Sequence, residues 1–124
     1  MSRHADEATI RRWFDAFNSR DLEGMLACMD AHVDFRPLRL PGLKDIYHCH
    51  VGIREWFADL AQLEHRPWIE LSRVQASSGG EVIAAGTLSV AGPGHSSSFW
   101  AVDQFKGGLI VAARHFLSDR FHLR

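Results

Sequence analysis

The chain has 124 residues, enough for one domain with one real core. Hydrophobic residues make up 46% and charged residues 23%, an ordinary balance for a globular protein; with a net charge of -1 and a pI near 6.7 there is no basic field to hold a phosphate backbone, so no nucleic-acid partner is expected. No apolar stretch approaches the roughly 20 residues that span a bilayer, the N-terminus "MSRHADEATIRRW" lacks a signal-peptide core, and Cys28 and Cys49 do not make a disulfide framework, so a cytoplasmic protein with free thiols and no membrane partner is the expectation.

Residues 5 to 19 read as a helix, because Ile10, Trp13, Phe14 and Phe17 recur at i, i+3, i+4 and i+7 on one face. Asn18 to Asp21 breaks it, and Asp21 suits the N-cap of a second helix in which Leu22, Met25, Leu26 and Met29 repeat the spacing. "HVDFRPL" reads as a short strand with Val33, Phe35 and Pro37 on one side, the proline marking a strand end or an edge. Residues 39 to 50 read as a loop carrying Pro41-Gly42. A third helix is predicted from about Val51 to Leu63, with Ile53, Trp56, Phe57 and Leu60 on its apolar face. Four strand patterns follow: "WIELSRVQA", "EVIAAGTLSVA", "SSSFWAVDQF" and "LIVAARHFL". Turn chemistry separates them at 77–80, 92–94 and Gly107-Gly108.

Three helices around one strand, then a meander of four, predict an α+β fold, a single domain over residues 1–124, with helices covering one face of a curved, mostly antiparallel sheet. A sheet wrapped around helices makes a cone whose open end is a natural pocket. The strands are apolar on both sides, Phe99 against Trp100 and His115 against Phe116, so the outer face also needs cover. A homodimer through that face is expected.

Asp103 is the residue that stands out. It shares a strand face with Phe99, Ala101 and Phe105, and a carboxyl taken out of water holds its proton more tightly. A protonated acid in an apolar pocket can donate to a developing enolate oxygen. The plainer alternative is an ionised Asp103 paired with an arginine or histidine. "YHCH" (47–50) raises a metal, since His48 and His50 would point the same way in an extended segment. A third and fourth ligand are missing, His32, His65 and His95 have no supporting spacing, and helix capping is the simpler role for His50, so no metal is assigned. Nothing near Cys49 lowers its pKa toward a nucleophile's. Gly86, Leu88 and Val90 are expected to line the wall opposite the helices, with Gly86 enlarging the cavity. The expected ligand is flat, apolar and weakly polar at one end.

The segments "RRWFDAFNSRDLEGMLACM", "HVDFRPL", "YHCHVGIREWFADL", "EVIAAGTLSV" and "AVDQFKGGLIVAARHFL" together resemble the NTF2-like superfamily, in particular its SnoaL-like polyketide cyclases and ketosteroid isomerases. "GIREWF" and "VDQF" are the most recognisable pieces. The resemblance implies the cone fold and a small, cofactor-independent enzyme that moves a proton next to a carbonyl, by isomerisation or aldol-type cyclisation. A non-catalytic binding module or a dimerisation scaffold on the same fold is the alternative. It puts Asp103 where isomerases keep an oxyanion-hole acid, Trp13 where they keep a tyrosine, and Phe35 (or Arg36, one register away) where they keep the general base. Asp34, the neighbouring acid, would face away from the pocket. Steroid isomerisation by that mechanism is therefore not expected, whereas a cyclase with an acid and a first-helix aromatic suits Asp103 and Trp13. The family register also turns Val111, Ala113, His115 and Leu117 inward, making His115 a possible proton-shuttle partner of Asp103 or a satisfied core histidine; a bulge near Gly107-Gly108 would reverse that parity. Trp13, Phe17, Phe35, Trp56, Gly86, Leu88, Phe99, Ala101, Phe105 and Ala113 are the expected pocket lining, with Asp103 and His115 as its catalytic groups.

Overall fold

The computed structural model describes residues 3–64, 66–90 and 96–117. The first helix, α1 (Arg3–Asn18), buries Ile10, Trp13, Phe14 and Phe17 as their spacing requires. Asp21 caps α2 (Leu22–Leu26), its carboxylate accepting from Gly24 N at 3.0 Å. This helix is shorter than its apolar spacing suggests. Met29 is instead the first residue of strand β1 (Met29–Arg36), and its buried sulfur accepts a hydrogen bond from Trp13 Nε1 at 3.3 Å. Residues 39–50 also differ from the expected loop. Tyr47–His48 form a short strand, β2, and the chain turns directly into α3 (Cys49–Leu60) through a left-handed Cys49 with φ 69°. Four strands complete the chain: β3 (Trp68–Ala76), β4 (Glu81–Ser89), β5 (Ser96–Lys106) and β6 (Leu109–Leu117). Ala91, the 92–94 turn, His65 and His95 lie outside the described residues.

The six strands form one curved, open sheet in the order β2-β1-β6-β5-β4-β3. Neighbours are antiparallel except β1 and β6, which run parallel, so the first strand returns to the sheet beside the last. The β5–β6 hairpin closes on Gly107 and Gly108, both at positive φ (62° and 84°), the two-residue turn whose twist matches its flanking strands. Helix α1 lies against β3 and β4 and α3 against β1 and β2, so the concave face is covered and the convex face is left open. Among the described residues no helix is long and apolar enough to cross a membrane. Cys28 and Cys49 are free thiols.

The inward parity of β6 passes through an irregularity. Gln104 pairs with Ala112 but Phe105 pairs with Ile110, which leaves Val111 as the extra residue of a bulge. Ile110, not Val111, therefore takes the first inward position, at 0% exposure; beyond the bulge Ala113 and His115 point inward. A further bulge is in β3, where Leu71 pairs with Gly86 and Arg73 with Ala85, leaving Ser72 over, and β1 is irregular against β6 between Met29 and Asp34.

Candidate functional site

The interior of the cone is a stack of aromatic rings. Trp13 lies nearly parallel to Phe17 (5.8 Å) and to Trp56 (6.1 Å), and Phe35 meets Trp56 edge-on at 4.8 Å. His115 stands among them, 5.2 Å from both Phe35 and Phe99, 5.4 Å from Trp13 and 5.6 Å from Phe14. The site is built from α1, α3, β1, β5 and β6, and each ring arrives by the helical or strand periodicity of its own element.

Above this stack, at the mouth of the cone, is an apolar cavity of about 20 Å³, room for roughly one water molecule. Of the residues expected to line a pocket, Trp13, Phe17, Trp56, Leu88 and His115 do reach it. Phe35, Phe99, Ala101 and Ala113 are buried in the packed floor below, and Phe105 is half-buried toward the hairpin end. Gly86 does not enlarge the cavity. The space its side chain would take is filled by the β3 bulge: a Cβ there would stand 2.2 Å from Glu70 O and 2.9 Å from Leu71 Cα. The roof was not legible in the sequence. Pro37, Leu38, Leu40 and Leu43 close the mouth from the segment between β1 and β2; the recurring leucines of "PLRLPGL" are the signal that could have marked it.

Asp103 is 3% exposed, and its Oδ1 has no hydrogen-bond partner among the described residues. Loss of solvation pushes its pKa from the ordinary 3.8 up to about 8, so it is largely protonated at neutral pH. The ion-paired alternative is not what the structure contains: burial alone accounts for the shift, and among the described residues no cation pairs with Asp103. His115 is 7% exposed, and the same desolvation drives its pKa down to about 3, leaving a neutral imidazole. The two sit diagonally on adjacent strands, since Ala101 pairs with His115 and Asp103 with Ala113; such positions are separated by about 7–8 Å. His115 borders the cavity, whereas Asp103 lies deeper, toward the closed end. The first turn of α1 is tied to that same row: Ala76 N donates to Glu7 Oε2 at 2.9 Å, Ala76 pairs with Val82, and Val82 with Asp103.

Two further polar groups complete the picture. Trp56 borders the cavity with its Nε1–H buried and without an acceptor among the described residues. Asp34 faces outward as strand alternation requires, 3.6 Å from His48 Nδ1 and 3.9 Å from Arg36. The residue in the base position is Phe35, fully buried. His48 and His50 do not converge: His48 stands beside Asp34, while His50 Nε2 lies 2.9 Å from Met29 O. Nor does His50 cap α3. His48 occupies the N-cap position and makes no side-chain capping bond.

A family model described as the SnoaL-like domain matches residues 10–113. The chain belongs to the SnoaL-like domain family. Solved structures agree on the fold. An NTF2-like protein of unknown function from Burkholderia pseudomallei is 22% identical with a TM-score of 0.79, the match covering 100% of this chain and 97% of that one. TerC, co-crystallised with polyporic acid, is 21% identical with a TM-score of 0.80 over 95% of each chain. A candidate polyketide cyclase from Xanthomonas campestris is 15% identical with a TM-score of 0.78, over 96% of this chain and 94% of that one. No curated protein matches the sequence. At these identities the solved relatives establish the NTF2-like cone; the chemistry of this SnoaL-like domain has to be argued from its own residues.

Proposed function

We propose that this SnoaL-like protein takes a small, flat, largely apolar carbonyl compound into the mouth of its cone and promotes proton transfer next to that carbonyl, as in an aldol-type ring closure. The observation that carries the reading is His115: a neutral imidazole buried in aromatic rings at the floor of an apolar cavity, beside an indole N–H that has no partner. The unprotonated ring nitrogen of the neutral His115 takes the proton from the carbon next to the carbonyl and returns it to the product, while the Trp56 N–H donates to the developing enolate oxygen; the rings exclude water, which strengthens both interactions. Asp103 is the acid beneath, protonated at neutral pH, and would exchange a proton with His115 only through a water held between them. Phe35 in the base position argues against steroid-type isomerisation and leaves cyclisation of an already reactive polyketone as the better fit. The family name, and a relative co-crystallised with polyporic acid, lend support to a ligand of this kind.

The test is hydrogen–deuterium exchange at the carbons next to the carbonyl of 2-tetralone in deuterated buffer. Exchange above the buffer rate is expected, with a loss of about 10²-fold in His115→Phe, the scale of one acid–base group. A ketone that binds the cone yet exchanges no faster than in buffer would overturn catalysis and favour the second reading, a binding module without chemistry. That second reading draws on the closed roof and on the depth of Asp103. Full turnover of the true substrate by a folded Asp103→Asn would remove Asp103 from the mechanism.

The same proposal extends to assembly and setting. Ile83, Trp100 and Phe116 are 37–40% exposed on the convex face, and a second copy of the chain is the expected cover. The free thiols Cys28 and Cys49 suit the cytoplasm.

A further inference from the structure

Beside the apolar cavity lies a second, open groove of about 790 Å³, and the two share Pro37, Leu38 and His115. Three arginines border this groove: Arg36 at the end of β1, Arg39 just beyond it, and Arg114 on β6. Arg36 and Arg114 are register partners in the parallel β1–β6 ladder and leave the sheet on its convex side, opposite in parity to Phe35, Ala113 and His115; the two guanidinium groups stand side by side at the end of β1, where the groove passes over Pro37 and Leu38 to His115. Like charges directly opposite one another destabilise a sheet. Nothing nearby neutralises them well. Arg36 has only Asp34 at 3.9 Å, too long for a hydrogen bond, and Arg39 has Asp45 at 3.6 Å; these are exposed pairs, worth little. Arg114 has no ion-pair or hydrogen-bond partner among the described residues. The rest of the wall is Asp45, the partner of Arg39, together with the apolar Val102, Phe116 and Leu117.

We propose that the ligand of the cone is an organic acid whose carboxylate is held by Arg36 and Arg114. Its apolar body then runs over Pro37 and Leu38 to His115. This rests on the cone being a small-molecule site and adds the class of molecule it takes. Two planar forks side by side match a planar two-oxygen anion, each guanidinium offering paired N–H donors. The arrangement also answers the volume problem, because a 20 Å³ cavity cannot take a ring system whereas the groove can hold the acid end outside it.

The experiment compares 2-naphthoate with 2-naphthamide, which differ only at the carboxyl. Binding is followed by NMR on the indole N–H of Trp56, assigned through Trp56→Phe. We expect 2-naphthoate to bind about tenfold more tightly, the scale of one charge-assisted bidentate contact. That advantage should shrink as salt rises from about 50 to about 500 mM. Arg114→Met and Arg36→Met should each reduce it while leaving 2-naphthamide affinity unchanged. Equal affinities in the unmodified protein, or a preference that both variants retain, would overturn the carboxylate assignment and leave the cone reading standing. If neither compound moves the Trp56 resonance, the cone reading fails and the carboxylate assignment fails with it.

Discussion

Asp103 and His115 are both buried in forms that water would not favour, and their linkage to folding runs in opposite directions. Asp103 holds its proton up to about pH 8 when folded and loses it near 3.8 when unfolded. The folded state therefore binds the extra proton across that window, so stability falls as pH rises, by about 1.4 kcal/mol per unit and about 4 kcal/mol by pH 7. His115 stays neutral when folded down to about pH 3 but protonates near 6.5 when unfolded, so its contribution is present above 6.5 and is lost as pH falls toward 3. Between about pH 4 and 6.5 the two slopes oppose each other, and from 6.5 to 8 that of Asp103 remains alone. Urea unfolding of the unmodified protein should accordingly weaken from pH 6.5 to 8. Asp103→Asn should abolish that decline and stabilise the protein at pH 7 by up to about 4 kcal/mol. A flat profile in the unmodified protein, or a destabilised Asp103→Asn at pH 7, would show that Asp103 is ionised and satisfied. A residue that costs stability where it stands is what a functional acid is expected to be.

At the scale of elements, the β3 bulge and the roof segment carry the informative contacts. A Cβ at Gly86 would meet the β3 backbone, not a side chain able to move aside. Gly86→Ala should cost about 1–3 kcal/mol in urea unfolding, because β3 must shift off β4 to admit it. An unchanged midpoint would mean that the bulge gives way freely. The roof is tied down by Tyr47, whose hydroxyl accepts from Lys44 N at 2.9 Å and donates to Asp59 Oδ2 at 2.8 Å, and by the Lys44–Glu55 ion pair. Tyr47→Phe removes both hydroxyl bonds at a cost of about 1–2 kcal/mol. It should speed the association of 2-naphthoate in stopped-flow, as expected for a ligand that enters past Leu40 and Leu43, which line the cavity. An unchanged association rate would place the entrance elsewhere. The first and third helices and the four later strands were legible because each buries one face at a regular period. The bulges at Ser72 and Val111, the early end of α2 and the two-residue β2 were not, because they arise from pairing with strands distant in sequence.

For the whole molecule, the open question of assembly lies on the convex face. Ile83 pairs with Val102, and Trp100 with Ala85 and Phe116, so the partly exposed side chains form one continuous patch across three strands. Sedimentation should give twice the 14.0 kDa chain mass, and Trp100→Glu should return it to the monomer without unfolding it. A monomeric unmodified protein would leave the patch for another partner. Residue types and their spacing by themselves determined the class of fold, the inward faces of the helices and strands, and an acid at Asp103 within an apolar run, because burial at a fixed period is written locally. Only the tertiary structure decided that Asp103 is sealed beneath the aromatic stack while His115 meets the cavity, that Gly86 makes room for a backbone and not for a ligand, and that Arg36 and Arg114 stand side by side. Each of those depends on which strands become neighbours and in what register, and that is settled by packing between segments up to 81 residues apart, as Met29 pairs with Ile110.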